Sequence, residues 1–473
     1  MGSRQPKRKK GRRPRELRGT RRVAARTSAE ANVREVAVWV LEHTLATSSS
    51  ADAFLDQARL RCHPKDRSLL VELVRGTLAW LARIDDVLEQ ASGRPMAKVE
   101  SALHGLLRIG AYQLLFLERI PPHAVVNEAV EHAHRITHRG AGSFVNGVLR
   151  RISRSRRLSD WPVERADDVV RLAVEHSHPE FLVRRWIEAW GTETTLAVLE
   201  ANNRRKAPHL LAFREHGGRE LLAESLIDEG VEVVASERAP LGLRVVGPTP
   251  WASITGATSF RRGEFYIQDE ASQIAALVPP VREGERVLDL AAAPGGKAYS
   301  MRAFEPSSRH VASDVSVGRL LRMRANNRRL GLQIPLLVSD AAQPPFAGEF
   351  DRVVVDAPCS GTGTFRKNPE LRWRVSPDEI TRLATAGAGL LRGASLAVAP
   401  GGLLIWITCS LEIEENERVV TTFLHGQDAF ETVDLASTLP ACLSDHVAGP
   451  GIWRMLPGGD HDGFTVSVLR RAS

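Results

Sequence analysis

Two hydrophobic periods alternate along this chain. Over residues 29–154 apolar side chains return every three or four positions, the spacing of one helix face. Leu70, Leu73, Val74, Thr77, Leu78, Leu81 and Ile84 form one such stripe, and Leu103, Leu106, Leu107, Gly110, Leu114 and Leu117 form another. Each stripe predicts a packed helix, and together they predict a compact helical bundle. Pro121-Pro122 ends one helix and permits the start of the next. Residues 155–175 are charged and predict a connector. From 178 to 278 the pattern mixes: helices over 181–190 and 219–230, then strand-like runs at 231–234 and 243–246, which predict a small α+β unit. Beyond it, short apolar runs at 287–290, 310–313, 334–338, 350–355 and 403–407 alternate with helical stretches. That alternation predicts an α/β domain, a mostly parallel sheet with helices on both faces.

The predicted boundaries are a basic tail over 1–28, a helical domain over 29–156, the α+β unit over 157–278 and the α/β domain over 279–473. A chain of 473 residues has room for about three domains. The net charge of +8 is unevenly placed, because residues 1–28 hold twelve Arg or Lys and one Glu, +11, and leave −3 for the rest. The tail lacks apolar periodicity, predicts disorder, and suits contact with phosphate backbones. No apolar run reaches the roughly 18 residues of a membrane span, and no apolar core follows the basic N-terminus as in a signal peptide. Four cysteines without paired spacing point to a reducing compartment and against a disulfide or zinc framework. The expectation is a cytoplasmic protein with no membrane partner and no metal, and a monomer.

Candidate chemistry gathers at the ends of the α/β strands. The run Val287-Leu288-Asp289-Leu290 is followed by Ala291-Ala292-Ala293-Pro294-Gly295-Gly296-Lys297, a tight glycine turn and the start of a helix. Its unpaired amides would receive a polar ligand. Asp314 ends the next strand, 25 residues after Asp289, where an acidic side chain accepts hydrogen bonds from ribose hydroxyls. Asp340 and Asp356 end the third and fourth strands, and Cys409 follows the fifth. Ligands of such sheets bind at this edge. Cys359, in Asp356-Ala357-Pro358-Cys359-Ser360-Gly361-Thr362-Gly363, and Cys409, in Thr408-Cys409-Ser410, are two of the four cysteines and share it; Cys62 and Cys442 lack such a setting and are read as structural. A nucleotide-like pocket, a carboxyl group and a thiol fit methyl transfer to carbon 5 of a pyrimidine. Addition of a thiolate to carbon 6 makes carbon 5 nucleophilic, an acid meets the charge at ring nitrogen 3, and loss of the carbon 5 proton expels the thiol. The residues do not rank the two cysteines.

These motifs identify a family by resemblance. The α/β domain resembles the RsmB/Sun (Fmu) RNA cytosine-5 methyltransferases in its 291–297 turn, Asp314, Asp340, the 356–363 block, Thr408-Cys409-Ser410 with Glu415-Asn416-Glu417 behind it, and Asp462-Gly463-Phe464. The helical segment resembles the NusB family of RNA-binding domains in Leu107-Arg108-Ile109-Gly110-Ala111-Tyr112-Gln113-Leu114, Ile120-Pro121-Pro122-His123-Ala124-Val125-Val126-Asn127-Glu128-Ala129-Val130 and Phe144-Val145-Asn146-Gly147-Val148-Leu149-Arg150. The resemblance implies a Rossmann-like domain that uses S-adenosyl-L-methionine to make 5-methylcytosine in ribosomal RNA, with the small subunit's 16S rRNA as partner. It implies Cys409 as nucleophile, Cys359 in release of the product, and Asp356 beside base and cofactor. It implies a cofactor site formed by Ala291, Ala292, Ala293, Pro294, Gly295, Gly296, Lys297, Asp314, Asp340 and Asp356. Two departures stand out: Ala291 replaces a usual Cys and Ala298 a usual Thr, and neither removes a reacting group. Arg366, Lys367, Arg372 and Arg374, with Trp373 among them, suggest a segment that grips RNA phosphates and stacks a base. Two other readings stay open: a methyltransferase for exocyclic amines, which would not need the thiols, and an RNA-binding assembly factor whose methyltransferase site is vestigial.

Overall fold

The structure, a computed structural model, describes residues 32–205, 207–247 and 251–473. The basic tail over 1–28 lies outside the described residues, as does the side chain of Cys442. Among the described residues, seven α-helices, Val33–Ala46, Ala51–Arg59, Arg67–Ala79, Leu81–Ser92, His104–Phe116, Pro122–Ile136 and Arg139–Arg154, form the helical domain. The two apolar stripes lie in its core, as does Cys62. The first stripe spans two helices, because the backbone leaves helical geometry at Trp80. Pro122 opens a helix with Pro121 as its cap, so the missing proline N–H costs no bond.

Helices Asp168–Glu175 and Glu180–Asn203 follow, the second broken at Gly191. Four antiparallel strands, β1 (His209–Ala212), β2 (Val233–Ala235), β3 (Gly242–Val245) and β4 (Phe265–Ile267), pair in the order β2-β3-β1-β4. Helix Gly218–Asp228 buries Leu222 and Leu226 against them.

The last domain is built on nine strands: β5 (Arg286–Leu290), β6 (Arg309–Asp314), β7 (Leu336–Val338), β8 (Phe350–Asp356), β9 (Val398–Thr408), β10 (Phe430–Thr432), β11 (Val447–Gly449), β12 (Ile452–Met455) and β13 (Phe464–Arg471). The order is β11-β12-β13-β9-β8-β5-β6-β7, with β10 also on β13. β5 to β9 are parallel, as the alternation predicts. β10 to β13 pair antiparallel, which makes the sheet mixed rather than mostly parallel. Their short runs carry little periodic signal: β11 and β12 span three and four residues, and β13 is buried on both faces over most of its length. From β5 the chain passes to β6 and β7 on one side and returns to β8 and β9 on the other. The carboxyl edge of β5 is therefore the topological switch point, where a crevice opens.

One buried ion pair fastens the opposite, amino end of these strands. Arg352, at the start of β8, donates to Glu285 at 3.0 Å and to the carbonyls of Pro279 and Pro280 at 2.9 and 3.0 Å. Both side chains are fully shielded from solvent. Removing the guanidinium alone strands a buried carboxylate. Arg352→Met is expected to lower the unfolding free energy by about 3–5 kcal/mol in urea denaturation, and Glu285→Leu in the same chain to restore much of it.

Candidate active site

The turn after β5 is set by backbone geometry. Ala291 takes a left-handed conformation (φ 65°), and the Ala292 N–H donates to Ser313 at the end of β6, 2.8 Å away. Gly295 has φ 114°, and a Cβ there would lie 2.4 Å from the Tyr299 ring, so glycine is required. Helix Gly296–Phe304 begins at once at the switch point, and no side chain caps its first amides. The Tyr299 hydroxyl donates to Asn327 at 2.9 Å and anchors this helix on helix Val317–Leu330.

Asp314 is fully buried at the end of β6. Its Oδ1 accepts from the Ser316 N–H at 2.7 Å and forms an ion pair with the Arg319 guanidinium, 2.8 Å away, while Oδ2 has no hydrogen-bond partner. A buried oxygen left open at a ligand edge needs a donor. Asp340 stands exposed beyond β7 and accepts the Ala342 N–H at 2.9 Å.

Lys297 turns away from the glycine turn and into the sheet edge. Its buried Nζ lies 3.1 Å from Asp356 Oδ2 and 3.0 Å from Ser272 Oγ, and 4.6 Å from the centre of the Phe464 ring. Gln268 donates to Ser272 at 3.1 Å and accepts from Ser300 at 2.9 Å. Asp289 lies beneath, completely buried, and neither oxygen has a hydrogen bond of good geometry. Burial, then the Asp356 charge, push its carboxyl well above the usual range, against the pull of Lys297.

The two thiols meet. Cys359 Sγ and Cys409 Sγ are 3.4 Å apart, both free and both half-buried. The hydrogen bond to Cys409, with burial next, holds the Cys359 thiol well above its usual pKa. Side chains from behind β9 fix the two loops. Glu415 accepts the Ser360 N–H at 2.7 Å and its hydroxyl at 2.6 Å, and Thr362 Oγ1 accepts the Leu411 N–H at 2.9 Å. The Gly363 N–H donates to the Cys409 carbonyl at 2.9 Å, and Thr408 donates to Asn416 at 2.6 Å.

The family model of 16S rRNA methyltransferase RsmB/F matches residues 275–470, the NusB model residues 22–154, and the ferredoxin-like domain model of RsmF/B-like methyltransferases residues 178–252. Ribosomal RNA small subunit methyltransferase B of Sodalis glossinidius is 32% identical over 428 residues, covering 89% of this chain and 96% of that protein. The chain belongs to the RsmB/F family. The probable ribosomal RNA small subunit methyltransferase B of Bacillus subtilis is 34% identical over 416 residues, 86% of this chain and 91% of that one. Among solved structures, PH0851 superposes with a TM-score of 0.75 at 25% identity, over 94% of this chain and 100% of its own. NSun6 from Pyrococcus horikoshii, solved with SFG, shares the fold with a TM-score of 0.54 at 20% identity, over 62% of this chain and 98% of its own.

RsmB/F methyltransferases are S-adenosylmethionine-dependent, and the residues present fit that cofactor. The open Asp314 Oδ2 suits ribose hydroxyls, and the side-chain-free turn at Gly295-Gly296 leaves backbone amides for the amino-acid end. Ala291 offers only backbone at the position where the family usually has Cys. The sequence assigns no chemistry to Ser272, Gln268 or Phe464; the signal for the first two is the polar block Gln268-Asp269-Glu270-Ala271-Ser272-Gln273, and for Phe464 the motif Asp462-Gly463-Phe464. No helix among the described residues is long and apolar enough to cross a membrane, and no cluster there could hold a metal.

The expected RNA grip over 366–374 is a correction. Arg366 is buried and donates to the carbonyls of Gly459, at 2.8 Å, and His461. Arg372 is fully buried, Trp373 donates to Leu78 at 2.7 Å, and Arg374 donates to Thr44 at 2.8 Å. These side chains bind protein carbonyls, so they are not free for phosphates or bases. Lys367 alone of the five is exposed.

Asp314→Ala removes a charged acceptor worth about 1.5–3 kcal/mol. Calorimetry with S-adenosylmethionine is expected to show affinity lower by about 10- to 100-fold, with an unchanged circular dichroism spectrum.

Proposed function

We propose that this protein methylates carbon 5 of a cytosine in small-subunit (16S) ribosomal RNA, in the cytoplasm, through a covalent bond between Cys409 and the base. The observation that carries the reading is the pair of free thiols 3.4 Å apart beside Asp356, at the edge that would hold the cofactor. The relatives' names supply the substrate class. S-adenosylmethionine supplies an electrophilic methyl group when bound. Transfer to an exocyclic amine would use neither thiol, and a retired site would not keep Asp356, Cys359, Cys409 and the open Asp314 oxygen together.

The Cys409 thiolate adds to carbon 6 of the cytosine. The carbon 5–carbon 6 double bond opens, and the charge that develops at ring nitrogen 3 is met by a proton from the Lys297–Asp356 pair. Carbon 5 is then nucleophilic and gains the methyl group. Release reverses the addition: a base removes the carbon 5 proton, the double bond forms again, the sulfur–carbon 6 bond breaks, Cys409 leaves as thiolate, and the proton on nitrogen 3 returns. Cys359 is that base. In the free protein, Cys409 is the chief cause that raises its thiol above the ordinary cysteine range. Once the Cys409 sulfur is bonded to carbon 6, its charge and hydrogen bond are gone, and the Cys359 pKa falls. The base is thus suppressed before attack and released after it. Both ring faces must be reached, so the target cytosine is unstacked.

The test is transfer of labelled methyl to unmodified 16S rRNA, with the product digested to nucleosides. Wild type is expected to place label in 5-methylcytidine, Cys409→Ala to place none, and Cys359→Ala to accumulate a protein–RNA adduct on a denaturing gel. Label in any other nucleoside overturns the reading. Burial still holds Cys359 up in the adduct, so its thiolate fraction grows with pH. The steady-state adduct in wild type should therefore shrink from about pH 7 to about pH 9, a trend that Cys359→Ala should lack.

A further inference from the structure

The turn Pro369–Trp373 begins ten residues after Cys359 and leaves the catalytic domain. Its charges match the ends of the helices it meets. Arg372 donates to Ala79 at 2.8 Å, the last residue of helix Arg67–Ala79, to Asn202 at 2.7 Å and to the Asn203 side chain at 2.7 Å, at the end of helix Glu180–Asn203. It also donates to Ser177 at 3.2 Å, just past helix Asp168–Glu175. Arg374 donates to Thr44 at 2.8 Å, Ser48 at 3.2 Å and Ser49 at 2.5 Å, at the end of helix Val33–Ala46. Glu370 accepts the Ala51 N–H at 3.0 Å, at the start of helix Ala51–Arg59. Four helix C-termini thus face two guanidiniums, and one N-terminus faces a carboxylate, the arrangement that helix dipoles favour.

Arg372 has no carboxylate partner among the described residues. Burial pushes its pKa down to about 9, which leaves it a cation at neutral pH. Converging carbonyls supply the negative potential that a counter-ion would otherwise provide. The Pro369–Trp373 turn with its charged residues, a plug in the helical domain, also reaches back to the site. A Cβ on Gly361 would lie 2.6 Å from Leu371, and Gly361 is two residues from Cys359. Phe365, on the same loop, packs in one core with Trp186, Leu182 and Leu411. Cys409, by contrast, is the first residue beyond β9, whereas Cys359 lies three residues beyond the end of β8.

We infer that the plug makes the helical domain part of the Cys359 loop, and that Arg372 is a positioning residue for release of the methylated base. The inference rests on the release role proposed above for Cys359. Loosening the plug moves the thiol on the loop and leaves the one at the strand end in place. Attack then proceeds while proton removal falters.

The test uses the full chain, S-adenosylmethionine and unmodified 16S rRNA. Arg372→Met and the milder Arg374→Gln are compared with wild type and Cys359→Ala in single-turnover and multiple-turnover methylation, with the adduct followed on denaturing gels. Arg372→Met is expected to keep its first turnover within about twofold and to lose multiple turnover by about 10- to 100-fold, the cost of misplacing a reacting group by about 1 Å. Adduct should accumulate although both thiols are present. Arg372→Met combined with Cys359→Ala should release no more slowly than Cys359→Ala alone, because both act on one step. If Arg372→Met does not fold, Arg374→Gln should show the same pattern at about threefold. First and later turnovers falling together with the melting temperature, or unchanged turnover in a folded variant, overturns the inference while the function stands. Wild type forming neither adduct nor 5-methylcytidine takes down both.

Discussion

A buried ammonium must find a counter-charge, and Lys297 finds it in Asp356. That pairing joins the glycine turn after β5 to the end of β8 at 3.1 Å, and through Ser272 it draws in the helix that precedes the sheet. The carboxyl edge therefore holds its polar groups in one network. Phe464 closes the other side of the ammonium with its ring face, so β13 takes part in the site although it runs against the parallel strands. Asp289 remains below, without a good partner. The cation above it and the carboxylates around it place its burial in a field that both helps and opposes ionisation.

The thiol pair follows the same logic of suppression by a neighbour. Two sulfurs at 3.4 Å cannot both be charged without mutual repulsion, so whichever ionises holds a proton on the other. A strand end and a loop provide that spacing, and neither would do so alone. Glu415 and Asn416 hold the two segments from behind, which explains why a polar stretch follows Thr408-Cys409-Ser410 at a buried position.

Charge burial also explains the junction between domains. Arg372, Arg374 and Glu370 satisfy helix ends that would otherwise leave carbonyls and amides without partners inside the protein. The connector helix Glu180–Asn203 adds Trp186, whose indole donates to Glu412 at 3.1 Å, and Arg185, 3.0 Å from the same carboxylate. The helical domain and the reactive edge are in this way parts of one packed structure.

The sequence by itself determined the bundle, the five parallel strands and the strand-end placement of Asp314, Asp340, Asp356, Cys359 and Cys409. Periodicity of 3.6 or near-continuous apolar runs are local properties, and a strand's end is visible where an apolar run meets a turn. Only the tertiary structure decided where the long cationic side chains point. Arg366, Arg372 and Arg374 read as a solvated RNA grip because charge and spacing cannot reveal a carbonyl supplied by a residue up to 330 positions away. The antiparallel strands β10 to β13 and the roles of Ser272, Gln268 and Phe464 escaped for the same reason. A three-residue strand or a single serine acquires its meaning from a partner that the chain brings to it only on folding.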